Sequence, residues 1–261
     1  MEIKDLLLPR EKYAEVSQKY GSSPFTFEIE KPGQVLFYFG ANHSKDPNNH
    51  QYPILREYWA RFLKTAEGWE KVVLVEGGLR RMEESEELAI TRGTEASLVT
   101  FLANKVGIPV ISPDPSLEEL AEQFPEIPKE EVLLMRFINR LDSYQRNNMT
   151  ENFEEEIERW CNDRRRSDVW AGIDFSPANL KEIYKRIVGK GLDMNDNMNQ
   201  LADPNRTGTR INEVATILTD AREVSIVSEI EKQWKEGKSI FAVFGSGHLI
   251  AQRPALEKLL I

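Results

Sequence analysis

The chain of 261 residues contains one cysteine, Cys161, and only three histidines. A single cysteine cannot form a disulfide bond within the chain, which suits a reducing compartment. No apolar run approaches the roughly 18 residues that are needed to cross a bilayer. Near the start, the apolar stretch that ends at Leu8 is closed by Pro9 and is too short for the core of a secretory signal. We therefore expect a cytoplasmic protein without a membrane partner.

Motifs of two common enzyme classes are missing from the sequence. It contains no phosphate loop of the Gly-x-x-x-x-Gly-Lys-Ser/Thr type and no Gly-x-Ser-x-Gly elbow, so nucleotide hydrolysis and serine hydrolase chemistry lose support. Basic residues are also in deficit, since 34 Lys and Arg face 43 Asp and Glu and the net charge is −9. Because an acidic chain repels phosphate backbones, we expect no nucleic-acid partner.

What is present is the pattern of an α/β protein. Hydrophobic residues make up 40% of the chain and charged residues 30%, which is a globular balance. Short apolar runs that predict strands alternate with longer stretches of helical periodicity. The predicted strands are 34–39, 71–75, 108–112 and 239–244, and the predicted helices are 52–66, 94–106 and 209–235. This rhythm predicts a central, largely parallel or mixed sheet that is flanked by helices.

The middle of the chain has a different character. From Ser116 to about Lys190 the pattern is helical and charged, without a convincing strand. We interpret 116–200 as a helical insertion or cap within a single α/β domain that spans 1–261. Residues 193–208 are polar and rich in asparagine, which predicts a long loop, and such loops are often lids or mobile segments.

Two passages near opposite ends of the chain match each other. Residues 34–43 read QVLFYFGANH, and residues 238–248 read KSIFAVFGSGH. Each is an apolar strand that ends in Phe-Gly, followed by two small or polar residues and a histidine. Fifteen glycines and three histidines would give fewer than one Gly-x-x-His match by chance, so two matches are informative.

A carboxylate occupies the equivalent place after the second predicted strand. Glu76 follows that strand in the sequence Val-Glu-Gly-Gly. Ligands of parallel α/β sheets bind beyond the carboxyl ends of the strands. If the three strands are neighbours, His43, Glu76 and His248 converge on one site.

Two histidines and a carboxylate support two kinds of chemistry. They can be ligands of a divalent metal such as Mn, Co or Zn, which would activate water and polarise a carbonyl group. Without a metal, His43, Glu76 and His248 can act as general base, general acid and orienting partner. The sequence leaves both mechanisms open.

These motifs resemble the TraB/TIKI group, which is related to the erythromycin-esterase and ChaN-like proteins. The resemblance rests on the two Gly-x-x-His turns, on the Glu-Gly after the second strand and on the Gly-x-Gly-His-Leu near the C-terminus, and it covers about 34–115 and 203–250. Further similarities are the stretches 92–96 and 221–223, which read RGTEA and ARE, and the glycine at 237.

The resemblance implies an EreA/ChaN-like fold and a set of site residues. His43, Glu76, His248 and Arg222 would be the catalytic set, and Arg222 would contact substrate or a carboxylate. Side chains nearby would bind substrate: Asn42, Ser246, Glu95 and Arg92. TIKI-like members resemble metal-dependent peptidases, erythromycin esterases cleave an ester without an obvious metal, and ChaN-like proteins bind haem.

The chain also departs from the family pattern. The first turn reads Gly40-Ala41-Asn42-His43, where Gly-Thr-x-His is frequent, and Glu223 stands where Asp or Asn is usual. TIKI members are anchored in membranes, whereas we expect no membrane contact here. The departures leave the substrate open.

Two functions follow from this reading. The first is a hydrolase, metallopeptidase-like or esterase-like, with a small molecule or a peptide as substrate. The second is a binding protein that holds a small ligand, a peptide or haem in the same pocket without reaction. Structural roles compete with both, because Glu76 could cap the next helix and Glu95 could stabilise the first turn of its own helix.

Overall fold

The computed structural model describes residues 1–146, 152–164, 168–193 and 195–261. The protein is mixed α/β and divides into two compact units. One unit consists of Met1–Pro115 and Arg222–Ile261, and the other is Ser116–Ala221. The second unit begins where the helical insertion was expected to begin, but it continues past residue 200 into the helix that follows.

The first unit contains a five-stranded mixed sheet. Its strands are β1 (Phe25–Lys31), β2 (Gln34–Ala41), β3 (Lys71–Val75), β4 (Val110–Ile111) and β5 (Ser239–Gly245). They lie in the order β1-β2-β5-β3-β4, and only the β1–β2 pair is antiparallel. The last strand of the chain therefore lies between β2 and β3. The carboxyl ends of the strands that precede His43, Glu76 and His248 are direct neighbours, as the site hypothesis requires.

The central strands form because they are buried on both faces. Every residue of β5 is buried, as is β2 from Val35 onward. Such strands are apolar along their whole length. Alternate side chains point to opposite faces, so Phe37 and Phe241 pack in one apolar cluster while Leu36 and Phe244 pack in the other.

Helices cover both faces of this sheet. The helices that belong wholly to the first unit are α1 (Arg10–Tyr20), α2 (Gln51–Thr65), α3 (Glu86–Lys105) and α10 (Ser246–Leu260). The predicted elements 34–39, 52–66, 71–75 and 239–244 are confirmed within two residues. The helix predicted over 94–106 begins earlier, at Glu86, and is broken by non-helical backbone at Gly93 and Thr94. The strand predicted over 108–112 is only two residues long.

Among its described residues, the second unit contains helices joined by turns and loops, and no strand. Its helices are α4 (Leu117–Gln123), α5 (Lys129–Arg146), α6 (Phe153–Arg164), α7 (Pro177–Val188) and α8 (Met198–Leu201), followed by the first part of α9 (Arg210–Lys235). They surround a separate apolar cluster with fully buried Phe137, Tyr184 and Leu218. Across the described chain, no helix is both long enough and apolar enough to cross a membrane.

The polar segment 193–208 is in part bonded to α9, and its residue 194 lies outside the described residues. The buried side chain of Asn212 donates to the backbone oxygens of Gln200, Leu201 and Asp203. Thr216 adds a bond to the oxygen of Pro204. The segment also contains the single turn α8, so it is more ordered than the loop expected there.

Candidate functional site

Glu76 lies between the two imidazole rings at the carboxyl edge of the sheet. Its Oε2 atom is 3.4 Å from Nε2 of His43, and its Oε1 atom is 3.3 Å from Nε2 of His248. Residues that are 205 positions apart therefore share one carboxylate. The structure brings together the three residues that the motifs singled out.

The first histidine lies on a turn whose backbone is hydrogen-bonded to side chains at the start of α2. His43 has a φ of 45°, a left-handed value that is uncommon outside glycine. The backbone N–H of Asn42 donates to Oε1 of Gln51 at 2.9 Å, and the hydroxyl of Tyr52 donates to the oxygen of Ser44. Both helix residues are buried, so they fix the strained turn and direct the imidazole towards Glu76.

The carboxylate of Glu76 is held by donors from two other segments. The backbone N–H of Gly245 donates to Oε2 at 2.6 Å, and Nη2 of Arg222 donates to Oε1 at 3.2 Å. The next helix has its own cap, because the hydroxyl of Ser85 accepts from the N–H of Leu88. Glu76 is thus part of the site and does not cap α3.

Each imidazole is backed by a second carboxylate. Nδ1 of His43 is 2.5 Å from Oε1 of Glu95, and Nδ1 of His248 is 2.9 Å from Oε1 of Glu223. Both glutamates are about 98% buried or more. The helix break at Thr94, whose φ is 61°, comes directly before Glu95. Glu95 therefore supports a histidine, whereas the sequence suggested substrate contact or a helix-stabilising role.

A buried chain of hydrogen bonds continues from Glu223 under the sheet. The side-chain amide of Gln252 donates to Oε2 of Glu223 at 2.5 Å, and the hydroxyl of Tyr38 donates to Oε1 of Gln252 at 2.9 Å. All three side chains are buried. The chain orients Glu223, and through it the ring of His248, without access to solvent.

Arg222 is fixed by a carboxylate that the sequence analysis did not identify. Its Nε and Nη2 atoms lie 2.6 and 2.8 Å from the two carboxylate oxygens of Asp114, which is the bidentate geometry. Asp114 also accepts from the backbone N–H of Gly77 at 3.1 Å. Asp114 comes shortly after the predicted strand 108–112, as Glu76 comes after the strand 71–75. This position after a strand is the sequence pattern from which Asp114 could have been predicted.

The electrostatics differ between the two histidines. Burial opposes the protonated form of His248, but the charges of Glu223 and Glu76 outweigh it and raise its pKa to about 10. For His43, burial likewise opposes protonation, while Glu95 and Glu76 raise the pKa above 6.5. Burial also opposes ionisation of Glu76, but the two histidines and Arg222 together hold its pKa well below 4.5. The side chain of His43 is 42% exposed and that of His248 only 12%.

The remaining predicted residues lie outside this network of contacts. Arg92 is exposed and pairs with Glu83 at 2.7 Å. The side chain of Asn42 is exposed, and only its backbone N–H takes part in the turn. Ser246 lines a separate cavity of about 390 Å³ together with Tyr13 and other residues of the α1 segment. For Arg92, Asn42 and Ser246 the described contacts show no bond to the histidines.

The placement of the His, Cys, Asp and Glu side chains bears on whether the site can hold a divalent ion. Within the described ranges, no group of three or more His, Cys, Asp or Glu side chains is placed to hold a metal. Both oxygens of Glu76 already accept hydrogen bonds, and one donor is the cationic Arg222. As placed, Glu76 does not fit the role of a metal ligand.

Comparisons of the chain with protein-family models, with curated proteins and with solved structures found no match.

Proposed function

We propose that the chain is a hydrolase that cleaves a peptide or an ester bond at His43, Glu76 and His248. One observation carries the proposal. Each imidazole is bonded at Nδ1 to its own carboxylate, while both Nε2 atoms face the shared carboxylate of Glu76. Such an arrangement offers a proton acceptor and a proton donor at one site, and hydrolysis needs both.

His43 is the general base in this proposal. Its side chain is the more exposed of the two, so a water molecule can reach it. The bond from Nδ1 to Glu95 keeps a proton on Nδ1 and leaves Nε2 free to accept one from the attacking water. Glu95 then stabilises the imidazolium that forms.

His248 is the general acid. Because its pKa is raised to about 10, it is protonated at neutral pH. It can donate from Nε2 to the leaving nitrogen or oxygen, and Glu223 holds the ring at Nδ1 throughout. Two histidines in different surroundings thus take opposite roles.

Glu76 supplies a fixed negative charge between the two rings. It stabilises the protonated form of either histidine, and the backbone N–H of Gly245 fixes its position. Arg222 contacts Glu76 and Asp114, so it acts as a positioning residue. No substrate contact is assigned to it.

The proposed mechanism routes no step through a metal. Binding of Mn, Co or Zn by His43, Glu76 and His248 is a separate hypothesis from the motifs, and it would require Glu76 to give up its bonds to Arg222 and Gly245. Metal content of the purified protein, with activity in EDTA and after addition of each ion, tests it.

We also propose that the chain is a distant relative of the TraB/TIKI group with an EreA/ChaN-like fold. The support is that both Gly-x-x-His turns end neighbouring parallel strands and face one glutamate. A cytoplasmic location is proposed from the single cysteine, and cell fractionation tests it.

The function is tested with p-nitrophenyl acetate and with acetyl-dialanine as probes for the two bond types. His43→Gln and His248→Gln should each lower kcat/KM by about 10²-fold or more, the usual share of a general base or acid. His50→Gln is the matched control, because His50 is exposed and its described hydrogen bond is to the oxygen of Ser23, away from the site. Equal activity in all three variants would remove the histidines from the reaction.

A binding protein without turnover is the other outcome of this test. It would cleave neither probe with or without added metal, and it would still bind a ligand such as haem or a peptide in a manner that His43→Gln weakens. Haem binding is read from its absorption spectrum in a titration.

A further inference from the structure

The loop after β3 carries an arginine that the site described above does not use. Nη2 of Arg80 donates to the backbone oxygen of Glu76 at 3.1 Å. Its Nε atom is buried and makes no hydrogen bond to any residue that the structure describes. Among the described residues, no carboxylate lies within ion-pair distance of Arg80, although the protein has an excess of acidic residues.

Arg222 and Arg80 both contact Glu76, but they differ in whether carboxylates pair with the guanidinium. Arg222 has its charge matched by Asp114 and Glu76. Arg80 has one bond, to a neutral carbonyl oxygen, although a guanidinium carries five N–H donors. A buried polar atom such as this Nε is normally paired. The half-buried guanidinium therefore has donors, and a positive charge, that an anion can use.

The backbone beneath Arg80 is shaped to hold it in place. Gly77 has a φ of 77°, and a Cβ at that position would lie 2.7 Å from Nη2 of Arg80. Glycine adopts this backbone conformation readily and leaves space for the guanidinium. The cationic group lies against the backbone of Glu76, whose carboxylate stands between the two histidines.

We propose that Arg80 binds a carboxylate group of the substrate and that the substrate is an anionic peptide or ester. A planar guanidinium matches a carboxylate in charge and in geometry. Arg80 bonds the backbone oxygen of Glu76, so a carboxylate bound by Arg80 would lie close to the site. This inference rests on the proposed hydrolase function, but its first test does not require turnover.

The first test measures binding to the full-length chain by calorimetry. The probes are N-acetylalanine and N-acetylalaninamide, which differ in the carboxylate. We expect the wild type to prefer the carboxylate by about tenfold or more, as hydrogen bonds to charged groups do. Arg80→Met should bind both probes equally. Arg81→Met, which removes the same charge from an exposed neighbour, should keep the preference.

Arg80→Lys guards against a folding defect in Arg80→Met. It retains the charge but loses the planar fork, so we expect a preference between those of the wild type and Arg80→Met. A preference that persists unchanged in both Arg80 variants would overturn the inference. So would an equal loss of preference in Arg81→Met, because the effect would then be one of net charge.

The second test compares cleavage of acetyl-dialanine and its C-terminal amide. We expect Arg80→Met to raise KM for the acid by about tenfold and to leave KM for the amide unchanged. If His43→Gln abolishes cleavage but Arg80→Met changes neither KM, the carboxylate inference fails and the hydrolase proposal stands. If nothing is cleaved but carboxylate binding depends on Arg80, the hydrolase proposal fails and the binding site stands.

Discussion

Gly245 and His43 lie so close that a Cβ on the glycine would be 2.6 Å from Nε2 of the imidazole. The glycine of the second motif thus makes room for the histidine of the first. Gly40 of the first motif likewise lies close to the second turn, since a Cβ there would be 3.2 Å from Cα of Ser246. Each glycine thus stands against the opposite turn, where space for a side chain is short.

Gly245→Ala should disable the site through steric overlap alone. The φ of Gly245 is −54°, which alanine also adopts, so no backbone strain is expected. The added methyl would displace the ring of His43, and overpacking of this kind costs about 1–3 kcal/mol. We expect a large loss of kcat in the ester assay. Gly191→Ala is the control, since a Cβ there meets no atom within 4 Å. Full activity of Gly245→Ala would contradict the geometry.

The pH dependence of kcat/KM should reflect both histidines. His43 must lose its proton to act as a base, and its raised pKa places the acidic limb of the profile above pH 6.5. The alkaline limb should lie near pH 10, where His248 loses its proton. Glu95→Gln removes a charge that raises the pKa of His43, so the acidic limb should move to lower pH. A limb that stays in place would mean that His43 does not titrate in the reaction.

The free energy of unfolding should depend on pH through the titration of His248. Its folded pKa of about 10 exceeds the ordinary 6.5, so its contribution is complete below pH 6.5 and declines as pH rises through about 10. Denaturation of the wild type and of His248→Gln should therefore show a stability difference that narrows over this window. His50→Gln, which replaces an exposed histidine, is the matched control. A constant difference between wild type and His248→Gln would contradict the raised pKa.

Asp114→Asn should cost more stability than a substitution that breaks an ion pair at the surface. The side chains of Asp114 and Arg222 are 6% and 23% exposed, and breaking a buried pair costs about 3–5 kcal/mol. Glu83→Gln breaks the bond to the exposed Arg92 and should cost about 1 kcal/mol or less. We also expect Asp114→Asn to lower kcat, because Arg222 then no longer fixes Glu76. Similar stabilities of the two variants in urea would show that the Asp114–Arg222 pair contributes no more stability than the surface pair.

The part of the fold that could be predicted is the part that is fully buried. The strands β2, β3 and β5 are continuous apolar runs because both of their faces are covered, and such runs are visible in sequence. The edge strand β1 was not predicted, since its pattern FTFEIEK mixes charged with apolar residues on a half-exposed edge. The first turns of α3, before the break at Gly93 and Thr94, were not predicted, because that stretch is rich in charged residues and the predicted helix began at 94.

The site could be predicted only where the residues follow a strand directly. His43, Glu76 and His248 are in that position, and their convergence depends on strand order alone. The carboxylates behind the histidines come from helices, so their contacts depend on packing that no local pattern encodes. Asp114 also follows a predicted strand, but its partner Arg222 is 108 positions away on a helix, so their contact could not be predicted. Glu223 was named only within the family resemblance, although it holds one of the two rings.

The central place of β5 means that the candidate site forms late in the synthesis of the chain. Until residues 239–245 are inserted, β2 and β3 each lack a neighbour and Glu76 has neither the N–H of Gly245 nor His248 beside it. During synthesis from the ribosome, the entire helical unit emerges before this strand does. A chain that ends before residue 239 therefore has neither the complete sheet nor the pair of histidines beside Glu76, and both form in one step.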